Sequence, residues 1–83
     1  MYFVYVLYNK AKKKLYIGQT KYLEERLNLH KDKRFKNSFT ARFSGEWSLI
    51  YKEEVENRKE ALIRERQLKS YRGRESLKKH IPL

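Results

Sequence analysis

The sequence predicts an α+β fold: a three-stranded antiparallel sheet, first strand central, flanked by helices in the order β-β-α-(α)-β-α-α. The leading observation is the run from Tyr2 to Tyr8, whose aromatic and β-branched residues show no polar alternation. Such a run is typical of a strand buried on both faces, and therefore central in its sheet. Two later stretches have helical periodicity. The length of 83 residues indicates one domain over residues 1–83 with a modest core.

The second strand is predicted to follow closely on the first. After a polar turn over residues 9–14, residues 15–17 form a short strand that we expect to end at Gly18, where the chain turns sharply towards a helix. Antiparallel partners have residue numbers with a constant sum. Tyr5 and Tyr16 therefore share a face of the sheet only if that sum is odd. An even sum would exclude a site that uses both tyrosines.

A helix is predicted after this hairpin. Thr20 is suited to cap its N-terminus, and the helix continues to about Arg34. Arg26 lies one turn before His30, and both border the apolar stripe of the helix. Residues 33–44 have no clean period and are predicted to form a loop with a short helix.

The C-terminal half adds a third strand and two helices. Trp47, Leu49 and Tyr51 alternate with Ser48 and Lys52, which predicts a strand with one better-buried face. Asn57 can cap a helix that continues to about Tyr71, and Gly73 can end that helix. A short final helix is predicted over residues 74–80.

The charge is extreme for this length and unevenly distributed. The formal net charge is +11; residues 1–42 hold eleven Lys or Arg against three Asp or Glu, and residues 43–83 hold ten against seven. Such a basic chain favours a polyanionic partner through phosphate neutralisation. We expect DNA, with RNA left open; a solvated basic surface or a membrane-surface binder is the alternative, and the lack of a long basic amphipathic helix with an apolar face weakens the membrane version. The cations expected to contact nucleic acid are Lys21, Arg26, Lys36, Arg42 and Lys69.

The composition also bears on the compartment. Cysteine is absent, so neither disulfides nor a thiolate metal site can stabilise the fold. The apolar N-terminal run is too short to span a bilayer, and it lacks the basic leader and cleavage site of a signal peptide. We expect a cytoplasmic protein with no membrane partner, and the oligomeric state is left open.

Glu65 interrupts the apolar stripe of the later helix. On the helical wheel it falls between Ala61 and Leu62, with Leu68 close to Ala61, where an apolar residue would normally lie. A carboxylate buried without a partner is costly, so we expect Glu65 to meet a cation or a metal. One interpretation is an i,i+4 ion pair with Lys69. The other is a metal ligand, since a single carboxylate with waters and phosphate oxygens suits Mg²⁺ (or Mn²⁺).

Arg26 and His30 on one helical face suggest phosphate chemistry. A guanidinium can clamp a phosphate and offset the charge that grows on it during attack. An imidazole, with an ordinary pKa of about 6.5, can exchange or hold a proton near neutral pH. Each residue alone fits a simpler interpretation as well, a surface ion pair for Arg26 and a core-edge histidine for His30.

Five positions, in order along the chain, resemble the GIY-YIG nuclease family: Tyr5, the triplet Tyr16-Ile17-Gly18, Arg26, His30 and Glu65. The resemblance covers about residues 2–70, with Val4-Tyr5-Val6 where the first triplet usually reads Gly-Ile-Tyr. It implies a GIY-YIG nuclease-like fold of the architecture given above. It also implies an endonuclease that acts on DNA with Mg²⁺ (or Mn²⁺) as cofactor.

The resemblance implies a role for each of the five positions. Glu65 is the metal ligand, and Arg26 and His30 lie around the reacting phosphate. Tyr5 activates the attacking water, and Tyr16 supports it. We expect the cation of Arg26 and a metal to lower the pKa of Tyr5, because a free phenol titrates at about 10.

The sequence therefore predicts a small endonuclease that selects DNA structure rather than sequence, with a role in repair or recombination. The main alternative is a non-catalytic, basic nucleic-acid-binding module that retains the fold. A second alternative is a protein-interaction module that uses the last helices. Neither alternative needs a carboxylate on an apolar stripe, and for that reason the nuclease is preferred.

Overall fold

The computed structural model describes residues 1–31 and 46–81, with residues 29–31 described as helical backbone. It contains the predicted succession of strands and helices, while the predicted short helix within 33–44 lies outside the described residues. No helix in the described part of the chain is long and apolar enough to cross a membrane. The elements are β1 (Tyr2–Asn9), β2 (Lys14–Thr20), α1 (Leu23–Lys31), β3 (Trp47–Val55), α2 (Arg58–Lys69), α3 (Tyr71–Leu77) and a 3₁₀ turn (Lys78–His80).

The three strands form one antiparallel sheet in the order β2-β1-β3, with β1 in the centre as predicted. Residues 4–9 of β1 are all buried. A central strand has a hydrogen-bonded neighbour on each edge and can also be covered on both faces, so a run without polar alternation suits that position. The predicted α+β architecture is confirmed.

Alternate residues of β1 face two different layers. Val4 and Val6 pack with Ala61, Leu68 and Leu77 in the buried core, so α2 and α3 cover this face of the sheet. The residues between them, including Tyr5 and Leu7, point to the opposite face. On that side α1 lies near Phe3 and Leu49, with which its leucines Leu23 and Leu27 line a shared cleft.

The second strand is longer than predicted. It runs from Lys14 to Thr20, so the prediction that it ends at Gly18 is wrong. Gly18 lies inside the ladder opposite Tyr5 and makes no turn. Thr20 is the last strand residue, and its Oγ1 accepts a hydrogen bond from the Tyr22 backbone N–H at 3.1 Å. The helix begins only at Leu23, so Thr20 closes the strand rather than capping the helix.

The third strand contains an irregularity that the predicted alternation did not include. Val6 pairs with Tyr51 but Leu7 pairs with Leu49, so Ile50 is the extra residue of a bulge. Leu49 and Tyr51 therefore face opposite sides of the sheet, and the predicted common face is wrong. Ile50 and Tyr51 pack against the buried core, whereas Leu49 is exposed.

The last two helices meet at a tight corner. The Asn57 cap is confirmed, because its Oδ1 accepts a hydrogen bond from the Glu60 backbone N–H at 2.9 Å. The helix ends at Lys69 rather than Tyr71, and Ser70 caps both the end of α2 and the start of α3. Gly73 lies within α3 and does not end α2.

Gly73 allows the two helices to approach backbone to backbone. A Cβ on this residue would lie 2.5 Å from the Leu68 Cα and also overlap the Gln67 carbonyl oxygen. Gly73 also donates its backbone N–H to the Ser70 Oγ at 3.2 Å. The corner therefore requires a residue without a side chain at this position.

A salt bridge fixes α2 over the sheet. The Arg64 Nε donates to the Glu53 Oε1 of β3 at 2.7 Å, and Ala61, one turn earlier on the helix, is fully buried. Both contacts hold the same stretch of helix against the strands.

The substitution Gly73→Ala is expected to lower the free energy of unfolding by about 2–3 kcal/mol, because the new methyl group overlaps backbone that cannot move alone. In an ordinary helix interior, replacing glycine with alanine would raise the free energy of unfolding by about 0.5–1 kcal/mol. Urea unfolding followed by circular dichroism measures the difference. Arg72→Ala, at an exposed position of the same helix, is the control; a neutral or stabilising Gly73→Ala would contradict the close approach.

Candidate active site

Tyr5 and Tyr16 lie next to each other on one face of the sheet. Tyr5 pairs with Gly18 and Leu7 pairs with Tyr16, so partner numbers sum to 23, an odd value. The two ring centroids are 6.1 Å apart, and the ring planes are tilted by 43°. The register therefore satisfies the condition for a site that uses both phenols.

Gly18 provides the space that Tyr5 occupies. A Cβ on Gly18 would lie 2.9 Å from the Tyr5 Oη and 3.0 Å from the Tyr16 Cε1. Its functional importance is thus steric, through both tyrosines, and was missed when the glycine was interpreted as a turn. The signal was available in the sequence: Gly18 is two residues after Tyr16, so both lie on the same face of β2.

Burial dominates the chemistry of the Tyr5 phenol. Tyr5 is only 1% exposed. Desolvation, followed by the charge of Tyr16 and a hydrogen bond with its phenol, raises the pKa of Tyr5 well above its ordinary value. Arg26 lowers this pKa as expected, but by less than burial raises it. The Arg26 part of the predicted effect thus has the expected sign, and the effect of Arg26 together with a metal stays a prediction.

Arg26 is an exposed residue of α1 whose charge acts on the Tyr5 phenol. Its place follows from the helix start, where its backbone N–H donates to the Tyr22 carbonyl oxygen at 3.0 Å. His30 lies one turn later in α1, and its side chain is outside the described part of the chain. Lys21 is exposed at the bend between β2 and α1. The remaining predicted contacts, Lys36 and Arg42, lie outside the described residues.

Glu65 lies on α2 at the edge of the core, with its side chain 19% exposed. Its Oε1 accepts a hydrogen bond from the Lys69 Nζ at 2.7 Å, so the i,i+4 ion pair considered from the sequence is present. The Glu65 charge also raises the pKa of Tyr5. The carboxylate therefore acts electrostatically on the Tyr5 phenol.

Glu65 is the predicted protein ligand for a divalent metal. Among residues 1–31 and 46–81, no three His, Asp or Glu side chains are grouped as a metal site. A hard cation such as Mg²⁺ keeps several waters and takes one or two carboxylates together with substrate phosphates. The partly exposed Glu65 carboxylate, held only by a lysine in an i,i+4 pair, fits such a cation.

A small cleft adjoins the phenol pair at the outer edge of β2. Its volume is about 240 Å³, and Lys69 and Arg74 line it on the helix side. The Arg74 Nε donates to the Lys69 carbonyl oxygen at 3.1 Å. Sequence reasoning did not single out Arg74, because it follows the α2–α3 corner and continues no helical period. The strand side of the cleft consists of Leu15, Tyr16 and Ile17.

Comparison with protein families matches residues 1–79 to the model of the GIY-YIG catalytic domain. The chain belongs to the GIY-YIG family. Comparisons with curated proteins and with solved structures gave no match. Membership identifies the chain as a nuclease domain that acts on DNA.

The GIY-YIG assignment agrees with the geometry of the site. Tyr5, Tyr16, Arg26 and Glu65 come from four different elements, and each of the last three alters the pKa of Tyr5. Four of the five predicted positions are thus coupled electrostatically through one phenol. The fifth, His30, is placed only by its position in α1.

Replacing Tyr5 with phenylalanine is expected to change how stability depends on alkaline pH. The raised pKa means that the folded protein keeps the Tyr5 proton above pH 10, whereas the unfolded chain loses it. The contribution of the Tyr5 phenol to the free energy of unfolding is therefore full below pH 10 and falls as pH rises. The difference in unfolding free energy between the protein and Tyr5→Phe should shrink by ~1.4 kcal/mol per pH unit above pH 10.

Urea unfolding at several pH values from 9 to about 11.5 measures this slope, because the raised pKa should act throughout that range. The control is Tyr71→Phe, which removes a phenol that is 79% exposed. Equal slopes for the protein and Tyr5→Phe would show that the folded state does not retain the proton.

Gly18→Ala is expected to lower the free energy of unfolding by about 1–3 kcal/mol, because the buried Tyr5 ring has no space to retreat. Adding Tyr5→Phe removes the hydroxyl that meets the new methyl group. The double variant should therefore be more stable than the sum of the single changes predicts, by at least ~0.5 kcal/mol. Strict additivity in the double-mutant cycle would mean that Gly18 and Tyr5 do not touch.

Proposed function

We propose that this GIY-YIG domain is a metal-dependent endonuclease that hydrolyses DNA phosphodiester bonds and selects its substrate by DNA structure. The observation that carries the proposal is the convergence of a cation, Arg26, and a carboxylate, Glu65, on the Tyr5–Tyr16 pair. A phosphate needs cationic groups, and a divalent metal needs a carboxylate. Arg26 would supply the cation for the phosphate, and Glu65 would supply the carboxylate for the metal.

Glu65 would hold the metal ion, Mg²⁺ or Mn²⁺, with Lys69 withdrawn from the carboxylate. When bound, such an ion acts as a Lewis acid on a phosphate oxygen and lowers the pKa of a coordinated water. The neighbouring elements keep Glu65 in place, because Ala61 and the Arg64–Glu53 salt bridge anchor the same helix.

Arg26 would bind the phosphate that is cleaved. It is exposed, so its guanidinium is accessible to substrate, and its charge already reaches the phenols. Two parallel N–H donors can bind two phosphate oxygens and stabilise the charge that develops there. His30, one turn later on α1, would hydrogen-bond the phosphate or the attacking water.

The two tyrosines would have different roles towards the attacking water. Tyr5 is buried and kept protonated, so it serves as a fixed hydrogen-bond donor to Tyr16. Tyr16 is only partly buried and lines the open cleft, so its hydroxyl is the one that meets solvent and substrate. We therefore propose that Tyr16 contacts the water and that Tyr5 orients Tyr16.

The charge of the chain supports DNA as substrate. The net charge of +11 favours binding through phosphate neutralisation, with Lys21 and Lys69 as exposed contacts in the described part of the chain. Backbone contacts position a protein on DNA but do not read its sequence. For that reason we propose selection of branched, nicked or damaged DNA in repair or recombination, in the cytoplasm.

The test is cleavage of labelled single-stranded, duplex, flap and four-way DNA with Mg²⁺ or Mn²⁺ and with chelator. Glu65→Gln is expected to reduce the rate by at least about 100-fold, because losing the metal costs several kcal/mol of transition-state stabilisation. Glu75→Gln is the matched control, since Glu75 also pairs with a lysine on a C-terminal helix, at 2.9 Å. Its rate should stay within about twofold of the unaltered protein, because it lies outside the site.

Two results would decide against this function. Cutting that persists in chelator, or in Glu65→Gln, would remove the metal role of the carboxylate. Salt-sensitive DNA binding without cutting on any substrate would instead favour a non-catalytic binder that retains the fold. In that case the Glu65–Lys69 pair would be purely structural.

A further inference from the structure

The cleft between β2 and the α2–α3 corner has the composition of a second anion site. Two cations, Lys69 and Arg74, face a strand that contributes Tyr16. Tyr16 is therefore shared between this cleft and the phenol pair. A group bound in the cleft would lie directly beside the candidate active site.

Arg74 is held by one hydrogen bond and has further N–H donors for a ligand. Its Nε is used by the Lys69 carbonyl oxygen at the end of α2, and its other guanidinium nitrogens make no hydrogen bond to a described residue. A guanidinium has five N–H donors, so four stay available to an anion. Because one bond already fixes the planar group, less freedom is lost when a phosphate binds.

Lys69 lies between the cleft and Glu65. Its Nζ is 2.7 Å from the Glu65 Oε1, while its side chain is 50% exposed. An ion pair with a half-exposed lysine is weak, because solvent screens the charges and the long side chain must be ordered. Lys69 can therefore change partners when a better anion is offered nearby.

The wider surface favours a polyanion as that partner. Residues 58–80 contain nine Lys or Arg and three Glu, a net charge of +6. Of the three carboxylates, Glu65 and Glu75 already pair with lysines. A DNA backbone, with its regular phosphates, complements such a surface better than an isolated anion does.

We propose that the Tyr16–Lys69–Arg74 cleft binds the DNA phosphate next to the one that is cleaved. Lys69 moves to that phosphate when the Glu65 carboxylate takes a metal ion or is replaced by a neutral side chain. Lys69 thus holds the carboxylate before substrate arrives and holds the substrate afterwards. The proposal rests on the proposed nuclease function only for the identity of the anion and for the metal.

The exchange is tested by DNA affinity in chelator, where Glu65→Gln releases Lys69 without metal or cleavage. Anisotropy of a labelled duplex should show Glu65→Gln binding about five- to tenfold more tightly than the unaltered protein, because one more phosphate is neutralised. The salt dependence of log Kd should steepen by about 0.9 for the same reason. Glu75→Gln, which releases Lys78 away from the cleft, should gain less than about twofold.

The gain of Glu65→Gln should disappear in Glu65→Gln/Lys69→Met and return in Glu65→Gln/Lys69→Arg, which restores the charge. Arg74→Met should weaken binding about fivefold and reduce the salt slope by about 0.9. Arg58→Met, at the far end of α2, is its control and should have less than half of that effect on log Kd. Circular dichroism confirms that each variant is folded.

Two outcomes would overturn the proposal. A gain that persists with methionine at position 69, or that equals the gain of Glu75→Gln, would exclude the exchange. Equal affinities for Arg74→Met and Arg58→Met would exclude the cleft as a phosphate site. Failure to cleave DNA refutes the nuclease function alone, because these affinities are measured without metal.

Discussion

Tyr5 lies across Gly18 in the β1–β2 pair, and the rest of the candidate site depends on this contact. It requires a register in which the glycine stands opposite the tyrosine, with Tyr16 as the diagonal neighbour on the same face. A slip of one residue would turn one phenol to the other side of the sheet. The central position of β1 removes that freedom, because Val4 and Val6 must face the core under α2.

The site consists of a rigid neutral part and a surrounding charged part. Tyr5 is enclosed, and burial outweighs the attraction of Arg26 for a phenolate, so the inner hydroxyl keeps its proton. The charges lie further out: Arg26 is on α1, and Glu65 and Lys69 are on α2. Helices on opposite faces of one sheet thus bring opposite charges to one hydroxyl pair. The outer phenol, Tyr16, is only partly buried and lines the open cleft.

The sequence was sufficient for the architecture and for the family. An unbroken apolar run marked β1 as central, and the order of Tyr, Tyr, Arg and Glu indicated the family. The α1 start and the end of β2 were misplaced, because Gly18 and Thr20 also suit a turn and a helix cap. The misreading of Gly18 arose because a glycine required for close packing cannot be distinguished by type from one required for a turn.

Other features depend on contacts between distant segments. The bulge at Ile50 has no local signature, since the residue is as apolar as its neighbours. The pKa of Tyr5 depends on how completely the folded chain covers the ring, which no spacing in the sequence reveals. The cleft with Arg74 exists only because Gly73 lets α3 fold tightly against α2. Such features can be identified only once the positions of the strands and helices in the folded chain are known.

The position of β2 at the edge of the described sheet has a consequence for solubility. An edge strand offers unpaired backbone groups to any other strand, and natural proteins protect such edges with charged side chains. Lys14 begins β2, and Lys69 and Arg74 lie against its middle. The cations that would bind DNA thus also oppose edge-to-edge aggregation. Replacing them with apolar residues would leave the β2 edge open to pairing with another strand.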